Sequence, residues 1–398
     1  MTDQREKIAA DFHRWEEKLL HRPRPEARAL TMAVRTAEGA LVWNDDDPGP
    51  RELLAPLLER LGRRTVLFAR GAEPYGSVMG ALTAGGEAEI HPRDFETRIF
   101  LMDLPVVREL SVASLVGALR RRRAVLVPPA GVVVAVKGDV TLASVLYSAV
   151  CFACYVKFLG DLLAGGPWGP LWERALGEVL SFLERRSDDD SGPLAMGPFT
   201  KADTAVGAVI EAGRRVVEEG LVNASFGNVS YRLGGRIYIS GRAAPLDELE
   251  GRVVAVDIAQ TEEEAPGAST EYPTHRGIVS SGPYRAVLHG HPPFAVTLSM
   301  ECPERPGCPA RDDCGRFCPV RREVVGFPVV SGDAGGGPTG LSRTVPPAMD
   351  ERGGVIVYGH GVFTAGRDDF RGALEILRRI EDRSRETLFG TLRRRGIL

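Results

Sequence analysis

The sequence predicts an α/β protein, in which helices flank a mostly antiparallel central sheet. Short strand-like segments are separated by Gly-containing turns, as in the hairpin pattern VSYRLGGRIYIS (229–240). Segments with apolar residues at helical spacing precede and follow these strands, at 200–220 and from Asp368 to about Phe389. These observations favour a sheet covered by helices, the arrangement of an α/β sandwich.

The chain is long enough for two domains. Its 398 residues exceed the usual size of a single hydrophobic core. The polar, acidic and Gly/Pro-containing segment SDDDSGPLAMGP (187–198) has the composition of a linker. We therefore predict an N-terminal α/β domain at 1–186, a linker at 187–198 and a second domain at 199–398.

The first domain is predicted to contain a helix, a strand pair, a helix and a strand before residue 98. RIFLMDLPVV (98–107) has the pattern of a strand, SVASLVGALRRRR (111–123) that of a helix, and AVLVPPAGVVVAV (124–136) that of a strand, a turn and a strand. The apolar segment LASVLYSAVCFACYVKFL (142–159) has about the length of a membrane span. Its polar residues, and the absence of basic anchors before it, favour a buried core helix.

Composition and charge exclude several classes of protein. The chain is 43% hydrophobic and 26% charged, which are ordinary globular values. Its net charge of -3 argues against a nucleic acid partner. The first twenty residues are charged and helix-periodic, and they lack the apolar core of a secretory signal. We expect a cytoplasmic protein that binds neither nucleic acid nor a membrane.

In the second domain the helix at 200–220 ends at Gly220 and is followed by short strands and turns. GDAGGGPTGLSRTVPPAM (332–349) is predicted to be a loop, either a mobile cover over a site or a long connection. The segments predicted to be strands, besides the hairpin, are RVVAVDIAQ (252–260), AVLHGHPPFAVTLS (286–299) and GGVIVYGHGVFTAG (353–366).

The two predicted domains contain one pair of similar segments. Residues 123–161 can be aligned with residues 353–390, with a strand, a turn, a strand, a Gly-Asp region and a long helix in each. His360 then falls opposite Ala130. The first domain is either a degenerate copy of the second that has lost a site, or both domains contain a common strand and helix unit.

Histidines are concentrated in the second domain. The chain has seven, and four of them lie between His275 and His360. Side chains two residues apart on a strand point to the same face, so His289 and His291 can present their imidazoles to one point. His360 lies on a turn between two glycines. This pattern favours a three-His metal site over hydrogen-bonded core histidines, and three protein ligands would leave a fourth position open for catalysis.

Four segments around these histidines resemble the successive motifs of the class II aldolase/adducin family, which fuculose-1-phosphate aldolase typifies. They occur in family order between about 200 and 390. The resemblance implies a class II aldolase-like α/β/α sandwich with a mostly antiparallel sheet. The segments are NASFGNVSYR (223–232), IYISGRAAPLDEL (237–249), STEYPTHRGIVSSGPYRAVLHGHPPFAV (269–296) and VIVYGHGVFTAG (355–366).

The resemblance also assigns roles to single residues. It implies that His289, His291 and His360 bind Zn²⁺ or another divalent metal, and that Glu271, in a Ser-Glu motif before them, is the catalytic carboxylate. A Lewis-acidic metal can stabilise the enediolate of aldol cleavage while a carboxylate moves the proton. Without the resemblance, Glu271 would be the last residue of an acidic surface segment.

Further residues are assigned to the surroundings of the site. His275 lies four residues after Glu271 and is expected to orient the carboxylate or a ligand, or else to be a capping or surface histidine. The resemblance implies phosphate binding by backbone amides and small polar side chains of three turns. Arg242 follows the second of these turns and could add a cation. The turns are Gly227-Asn228, Ser240-Gly241 and Ser269-Thr270.

These assignments predict a metal-dependent aldehyde-lyase that acts on a small phosphorylated ketose or related hydroxy-carbonyl compound. A sugar-phosphate 4-epimerase or a dehydratase would use the same site. A non-catalytic adducin-like or metal- or redox-sensing protein is the alternative of another class. Family members often take a tyrosine from a neighbouring subunit or the C-terminal tail as general acid, but this chain has no tyrosine after Tyr358. The resemblance also implies a homo-oligomer.

A cysteine-rich insertion, at 301–320, departs from the family pattern. Its four cysteines favour a bound metal over free thiols, either a second Zn²⁺ or an iron-sulfur cluster. The other two cysteines of the chain, Cys151 and Cys154, are expected to be small buried residues of the apolar helix. The insertion's cysteines are Cys302, Cys308, Cys314 and Cys318.

Overall fold

The computed structural model describes residues 2–21, 25–129, 131–184, 192–222, 226–335 and 337–398. The chain divides into two compact units, Met1–Asp188 and Asp189–Leu398. Ala130, which the sequence aligns with His360, and residues 187–191 of the predicted linker lie outside the described residues.

Unit 1 combines one antiparallel sheet with several helices. Its sheet has the order β2-β1-β3-β7-β6, and β4 and β5 form a separate pair. The strands are β1 (Ala27–Arg35), β2 (Leu41–Trp43), β3 (Thr65–Gly71), β4 (Glu89–Ile90), β5 (Leu104–Pro105), β6 (Ala124–Val127) and β7 (Gly131–Val136). The helices are α1 (Thr2–Glu16, continued by a π-helical turn at Glu17–His21), α2 (Pro48–Leu61), α3 (Tyr75–Leu82), α4 (Phe95–Leu101), α5 (Val112–Arg121), α6 (Val140–Leu163) and α7 (Pro170–Glu184).

The long apolar helix of unit 1 lies in its interior. Within the described residues, α6 is the one helix long and apolar enough to cross a membrane by length and composition, and 83% of its most apolar window is buried inside the protein. Asp139 caps its N-terminus by accepting a hydrogen bond from the Leu142 amide at 3.1 Å. The side chains of Cys151 and Cys154 are fully buried in this helix.

The prediction of a strand at 98–107 is wrong. Residues up to Leu101 belong to the short helix α4, and the extended part is limited to Leu104–Pro105 and a β-bridge from Val106 to Leu126. The cause is local, because the buried Asp94 side chain accepts hydrogen bonds from the Thr97 amide at 2.8 Å and from the Thr97 hydroxyl at 2.6 Å. This N-cap starts a helix in a segment whose composition alone indicates a strand.

Unit 2 is built on an eight-stranded sheet with the order β10-β9-β8-β11-β15-β14-β13-β12. Its pairs are antiparallel except β13 with β14. The strands are β8 (Asn228–Leu233), β9 (Arg236–Ser240), β10 (Val253–Asp257), β11 (Ala286–Gly290), β12 (Arg322–Val324), β13 (Phe327–Val330), β14 (Gly354–Val357) and β15 (Gly361–Gly366). The helices are α8 (Ala202–Glu218), α9 (Tyr272–Ser281), α10 (Pro293–Ser299), α11 (Leu341–Ala348) and α12 (Phe370–Arg394), with a 3-10 turn at Arg305–Gly307.

Helices cover both faces of this sheet, which confirms the predicted sandwich. On one face α9 and α11 pack together, and their residues Ile278 and Val345 share a buried core with Val287 and Phe363 of the strands. On the other face α12 packs against α8 and α10. Gly290 of β11 lies directly under α12 on this second face. A Cβ at Gly290 would lie 3.3 Å from a methyl carbon of Leu377 in α12.

Two segments of unit 2 differ from their predicted conformations. The predicted strand at 286–299 ends at Gly290 and is followed by α10, since the proline at the start of this helix suits its first turn. The predicted loop at 332–349 ends in α11, which contains both Pro346 and Pro347. Buried Leu341 and Val345 tie α11 to the core, and this packing offsets its poor helix propensity.

The two units share a strand order. Counted along the chain, the sheet of unit 1 and the strands β9-β8-β11-β15-β14 of unit 2 both have the order 2-1-3-5-4, and their pairs are all antiparallel. A long helix follows the last strand in each, α6 in unit 1 and α12 in unit 2. The similarity therefore extends beyond the aligned segments to five strands, which favours a degenerate copy over a common strand and helix unit.

Candidate metal centre

The first two histidines of the site lie at the end of the central strand β11. His289 is paired with Asn228 in β8 and with Phe363 in β15. The strand ends at Gly290, so His291 lies one residue beyond it, held by a hydrogen bond from its amide to the Leu221 carbonyl at 2.9 Å. The two imidazoles still reach one point, although only the first belongs to the strand.

The third histidine lies on the turn that joins β14 to β15. His360 follows Gly359, whose φ of 56° is in the left-handed region that favours glycine. Gly361 allows the closest packing, because a Cβ there would lie 2.4 Å from the Gly290 carbonyl oxygen and 2.8 Å from the His289 ring. The Gly-His-Gly sequence thus brings this turn against the end of β11.

The three histidines form a group that can hold a metal ion. One potential ligand atom from each of His289, His291 and His360 lies within 4.8 Å of the others, and all three residues are buried. The Nε2 atoms of His289 and His291 are 3.0 Å apart. Two nitrogens of a tetrahedral zinc site, each about 2.0 Å from the ion, lie about 3.3 Å apart. The donor set and its spacing therefore fit a divalent metal.

The protonation of His289 also suits a ligand. Its Nδ1 lies 3.1 Å from the Val362 carbonyl oxygen and donates its hydrogen there, so that Nε2 presents a lone pair to the other imidazoles. Burial lowers the pKa of His289 well below its usual range, and the charges of His291 and His360 lower it further. The imidazole is therefore neutral at physiological pH, as metal binding requires.

Glu271 is a buried residue of the same centre and not part of a surface segment. Its Oε2 lies 3.2 Å from Nε2 of His289, and its Oε1 lies 3.5 Å from Nε2 of His360. The residue is 3% exposed, in contrast to the exposed Glu263 and Glu264 of the same acidic segment. Glu271 immediately precedes α9, so the start of that helix sets the position of its carboxylate.

A chain of buried hydrogen bonds orients this carboxylate. The Asn228 side-chain amide donates to Oε2 of Glu271 at 3.1 Å, and its oxygen is hydrogen-bonded to Nε2 of His275. Nδ1 of His275 lies 2.6 Å from Oγ of Ser230. Burial lowers the pKa of His275 to about 3, so the ring is neutral. We assign the ring hydrogen to Nε2, which donates it to the Asn228 oxygen, while Nδ1 accepts the hydrogen of the Ser230 hydroxyl.

We expect His275 to make the stability of unit 2 depend on pH. Its pKa falls from 6.5 to about 3 on burial. The unfolded chain therefore binds one more proton than the folded chain between these values, and stability is full above pH 6.5 and is lost as the pH falls. His275 contributes about 1.4 kcal/mol per pH unit to the slope, and His275→Gln removes this contribution, whereas that of the buried His289 remains in both proteins.

Hydrogen exchange of the β8 amides between pH 7 and pH 5, in the presence of a chelator, measures this slope. Equal slopes for the wild-type and His275→Gln proteins would contradict the expected linkage. Tryptophan fluorescence is unsuitable because all four tryptophans of the chain lie in unit 1, at Trp15, Trp43, Trp168 and Trp172.

The three turns predicted to bind phosphate lie around the same strands. The Val229 amide donates to Oγ of Ser240 at 3.2 Å, and the Glu271 amide donates to Oγ of Ser269 at 3.3 Å. Ser240 and Ser269 are buried, whereas Thr270 and Arg242 are exposed. Gly227 has a φ of 86° and packs closely, since a Cβ there would lie 2.4 Å from the His289 carbonyl oxygen. Phosphate binding by these turns stays a prediction.

Sequence reasoning missed two residues of the centre. Asn228 was assigned only to a phosphate turn, but its side chain bridges Glu271 and His275. Glu381 of α12 accepts hydrogen bonds from the first amides of α10 at 3.1 and 2.9 Å, and so fixes the segment that follows His291. The signal for Glu381 was a lone carboxylate on the apolar face of the last helix.

The four cysteines of the insertion do not converge on one point as the three histidines do. Among the described residues, the three histidines are the group whose ligand atoms meet within 4.8 Å. Cys302, Cys308, Cys314 and Cys318 are free thiols, and each is half-buried. The predicted second metal stays a prediction.

Comparison with known proteins gives a family for unit 2. Residues 207–386 match the model of the family described as Class II Aldolase and Adducin N-terminal domain. A curated relative is methylthioribulose-1-phosphate dehydratase of Methylococcus capsulatus, which is 38% identical over 108 residues. The match covers 25% of this chain and 50% of that protein, so the chain spans about half the length of this relative.

Solved structures with a similar fold include two aldolases. The L-fuculose-1-phosphate aldolase of Thermus thermophilus is 22% identical, with coverage of 48% of this chain and 97% of that chain and a TM-score of 0.38. The sugar-phosphate aldolase of Thermotoga maritima is 16% identical, with coverage of 48% and 95% and a TM-score of 0.33. The family model spans Glu271 and all three histidines. Residues 207–386 therefore form a domain of the class II aldolase and adducin family.

Proposed function

We propose that this protein is a metal-dependent aldehyde-lyase that cleaves or forms a small phosphorylated ketose through an enediolate. One observation carries the proposal, namely that a buried carboxylate lies 3.2 and 3.5 Å from two of three converging imidazoles. A protein that used this fold only as a scaffold would have no need of such a group. The burial of four polar side chains at one point is costly unless it serves a ligand.

The metal would be held by His289, His291 and His360, and we propose Zn²⁺ because three imidazole nitrogens suit it. When bound, it would supply a Lewis acid that polarises a carbonyl group and offsets the negative charge of an enediolate. Three protein ligands leave room for substrate oxygens. The buried surroundings strengthen electrostatic interactions within the centre.

Aldol cleavage moves two protons. The hydroxyl group β to the carbonyl loses its proton, the carbon-carbon bond breaks and an aldehyde departs, and the electron pair stays on the carbon next to the carbonyl. A proton must then reach that carbon. Glu271 is placed to hold and deliver this proton, because its carboxylate borders the imidazoles of His289 and His360.

Asn228 and His275 would act on this step through Glu271. The amide of Asn228 fixes one carboxylate oxygen, and the neutral ring of His275 fixes the orientation of Asn228. A hydrogen bond from a neutral donor favours the ionised carboxylate, which has to accept a proton in each turnover. For the phosphate group we propose the amides around Gly227, Ser240 and Ser269, whose turns adjoin Asn228 and Glu271.

The dehydration of a ketose phosphate is the second candidate function. The curated relative that matches over 108 residues carries the name of a dehydratase, and its named substrate is a phosphorylated ketose. Removal of a proton next to the carbonyl, followed by loss of the hydroxyl group one carbon further, would use the same carboxylate. A sugar-phosphate 4-epimerase would also use an enediolate at this centre.

The products distinguish these reactions. The full chain, loaded with Zn²⁺, is incubated with fuculose 1-phosphate and with methylthioribulose 1-phosphate, and products are identified by mass spectrometry and by trapping of aldehydes. We expect a free aldehyde from at least one of them. Loss of water without cleavage would establish the dehydratase, and an epimer would establish the epimerase. Metal-loaded protein that converts neither substrate would contradict the proposed class of chemistry.

A further inference from the structure

The cysteine-rich insertion between α10 and β12 has no apolar core of its own. Within 302–319, the residues that are not exposed are the four cysteines, Ala310 and Gly315. Its large apolar side chain, Phe317, is 59% exposed. The thiols thus occupy the places that apolar side chains would take in a small domain, and such short segments usually need a metal or disulfides for stability.

Local turns hold the insertion instead of strands or long helices. The Arg305 amide donates to the Cys302 carbonyl at 3.2 Å, and the Arg311 amide donates to the Cys308 carbonyl at 3.2 Å. Two of the cysteines therefore begin tight turns, and a proline follows each of them.

The last part of the insertion is held by the two residues that follow β13. Oγ of Ser331 donates to the Cys314 carbonyl at 2.6 Å, and the Gly332 amide donates to the Gly315 carbonyl at 3.0 Å. The Cys314 thiol donates to the carbonyls of Ala310 and Arg311 at 3.5 and 3.4 Å. The amide of Arg311 closes the turn that Cys308 begins. The Cys314 thiol therefore lies against the turn that contains Cys308.

We propose that Cys302, Cys308, Cys314 and Cys318 bind one thiophilic divalent ion, for which Zn²⁺ is the probe, at a site separate from the three histidines. The free thiols do not meet at ligand distance in the structure, and binding would draw them together, since metal sites in short loops commonly form only with the metal. The ion would replace the missing core of the insertion. This inference does not depend on the proposed lyase activity.

Metal content tests the site. The full chain is purified without chelator and analysed by mass spectrometry for bound metals, as wild type, as His291→Ala and as the double variant Cys308→Ser with Cys314→Ser. We expect wild type to carry one ion more than either variant, and each variant to lose a different one. Phe317→Ser, an exposed change in the same segment, serves as the matched control and keeps both ions. A double variant with the metal content of wild type would overturn the proposal.

A spectroscopic test does not require the cysteine variants to fold. Wild-type protein reconstituted with Co²⁺ should show a thiolate-to-cobalt charge-transfer band in the near ultraviolet, and His291→Ala should keep it. Metal-loaded native protein should also protect the four cysteines of the insertion from a thiol reagent, while Cys151 and Cys154 are already buried. A spectrum without thiolate ligation, disulfides in the native protein, or iron with labile sulfide would each refute the proposed ion.

Discussion

Replacement of Glu271 by Gln is expected to lower the turnover number by about a hundredfold to ten-thousandfold, the usual contribution of a positioned proton-transfer group. The change keeps the size of the side chain and its hydrogen bond with the Asn228 amide can reform, but an amide cannot carry the proton. Because three histidines remain to hold the metal, the metal content should stay that of wild type. The measurement is the turnover number on whichever ketose phosphate the wild type converts.

A matched control is available in the same acidic segment. Glu263 is exposed, so Glu263→Gln removes the same charge without touching the centre and should leave turnover unchanged. Exchange of the ketone product's C–H with deuterium from solvent gives an independent readout, since it reports proton transfer at carbon even where another step limits turnover. Turnover of Glu271→Gln close to that of wild type would remove Glu271 from the mechanism.

His291→Ala is expected to abolish both metal binding at the histidine centre and turnover. Its Nε2 lies 3.0 Å from that of His289, and two remaining imidazoles hold a divalent ion far more weakly than three. The loss of a Lewis acid removes several kcal/mol of charge stabilisation, which corresponds to a fall in rate of at least about a thousandfold. Metal analysis and turnover of the same preparation measure both effects.

The specificity of this result is checked with another histidine. His91 lies exposed in unit 1, and His91→Ala should keep both the metal and the activity. Treatment of the wild-type protein with a chelator should reproduce the loss, and added Zn²⁺ should restore the activity of wild type but not of His291→Ala. Full activity of His291→Ala, or of metal-free protein, would show that the reaction does not need this centre.

The sequence located the histidines of the centre because their spacing has a geometric meaning. Two imidazoles two residues apart and a third on a Gly-flanked turn can converge in few other ways, and the structure brings them together. The strand, however, stops at Gly290, and His291 is placed by a backbone hydrogen bond to Leu221. The spacing predicted the convergence correctly, although the element it assumed was one residue too long.

Contacts that depend on distant parts of the chain were beyond sequence reasoning. The Asn228 side chain reaches Glu271, and Glu381 caps α10 from a helix almost ninety positions further along. Nothing near these residues in the chain specifies such partners. The strand predicted at 98–107 failed for a local reason and not because of a distant contact. The N-cap at Asp94 starts a helix there, although the apolar composition of the segment favours a strand.

The two units share a strand order but differ in the residue at the position of His289. In each unit the second strand of the last hairpin begins with a glycine, Gly131 in β7 and Gly361 in β15. When the two sheets are aligned on these glycines, Phe68 of β3 occupies the position of His289 in β11. A phenyl ring fills that place, and unit 1 still forms five paired strands. The strand order thus forms in unit 1 with an apolar residue at this position, so the order of the strands does not itself require the polar centre of unit 2.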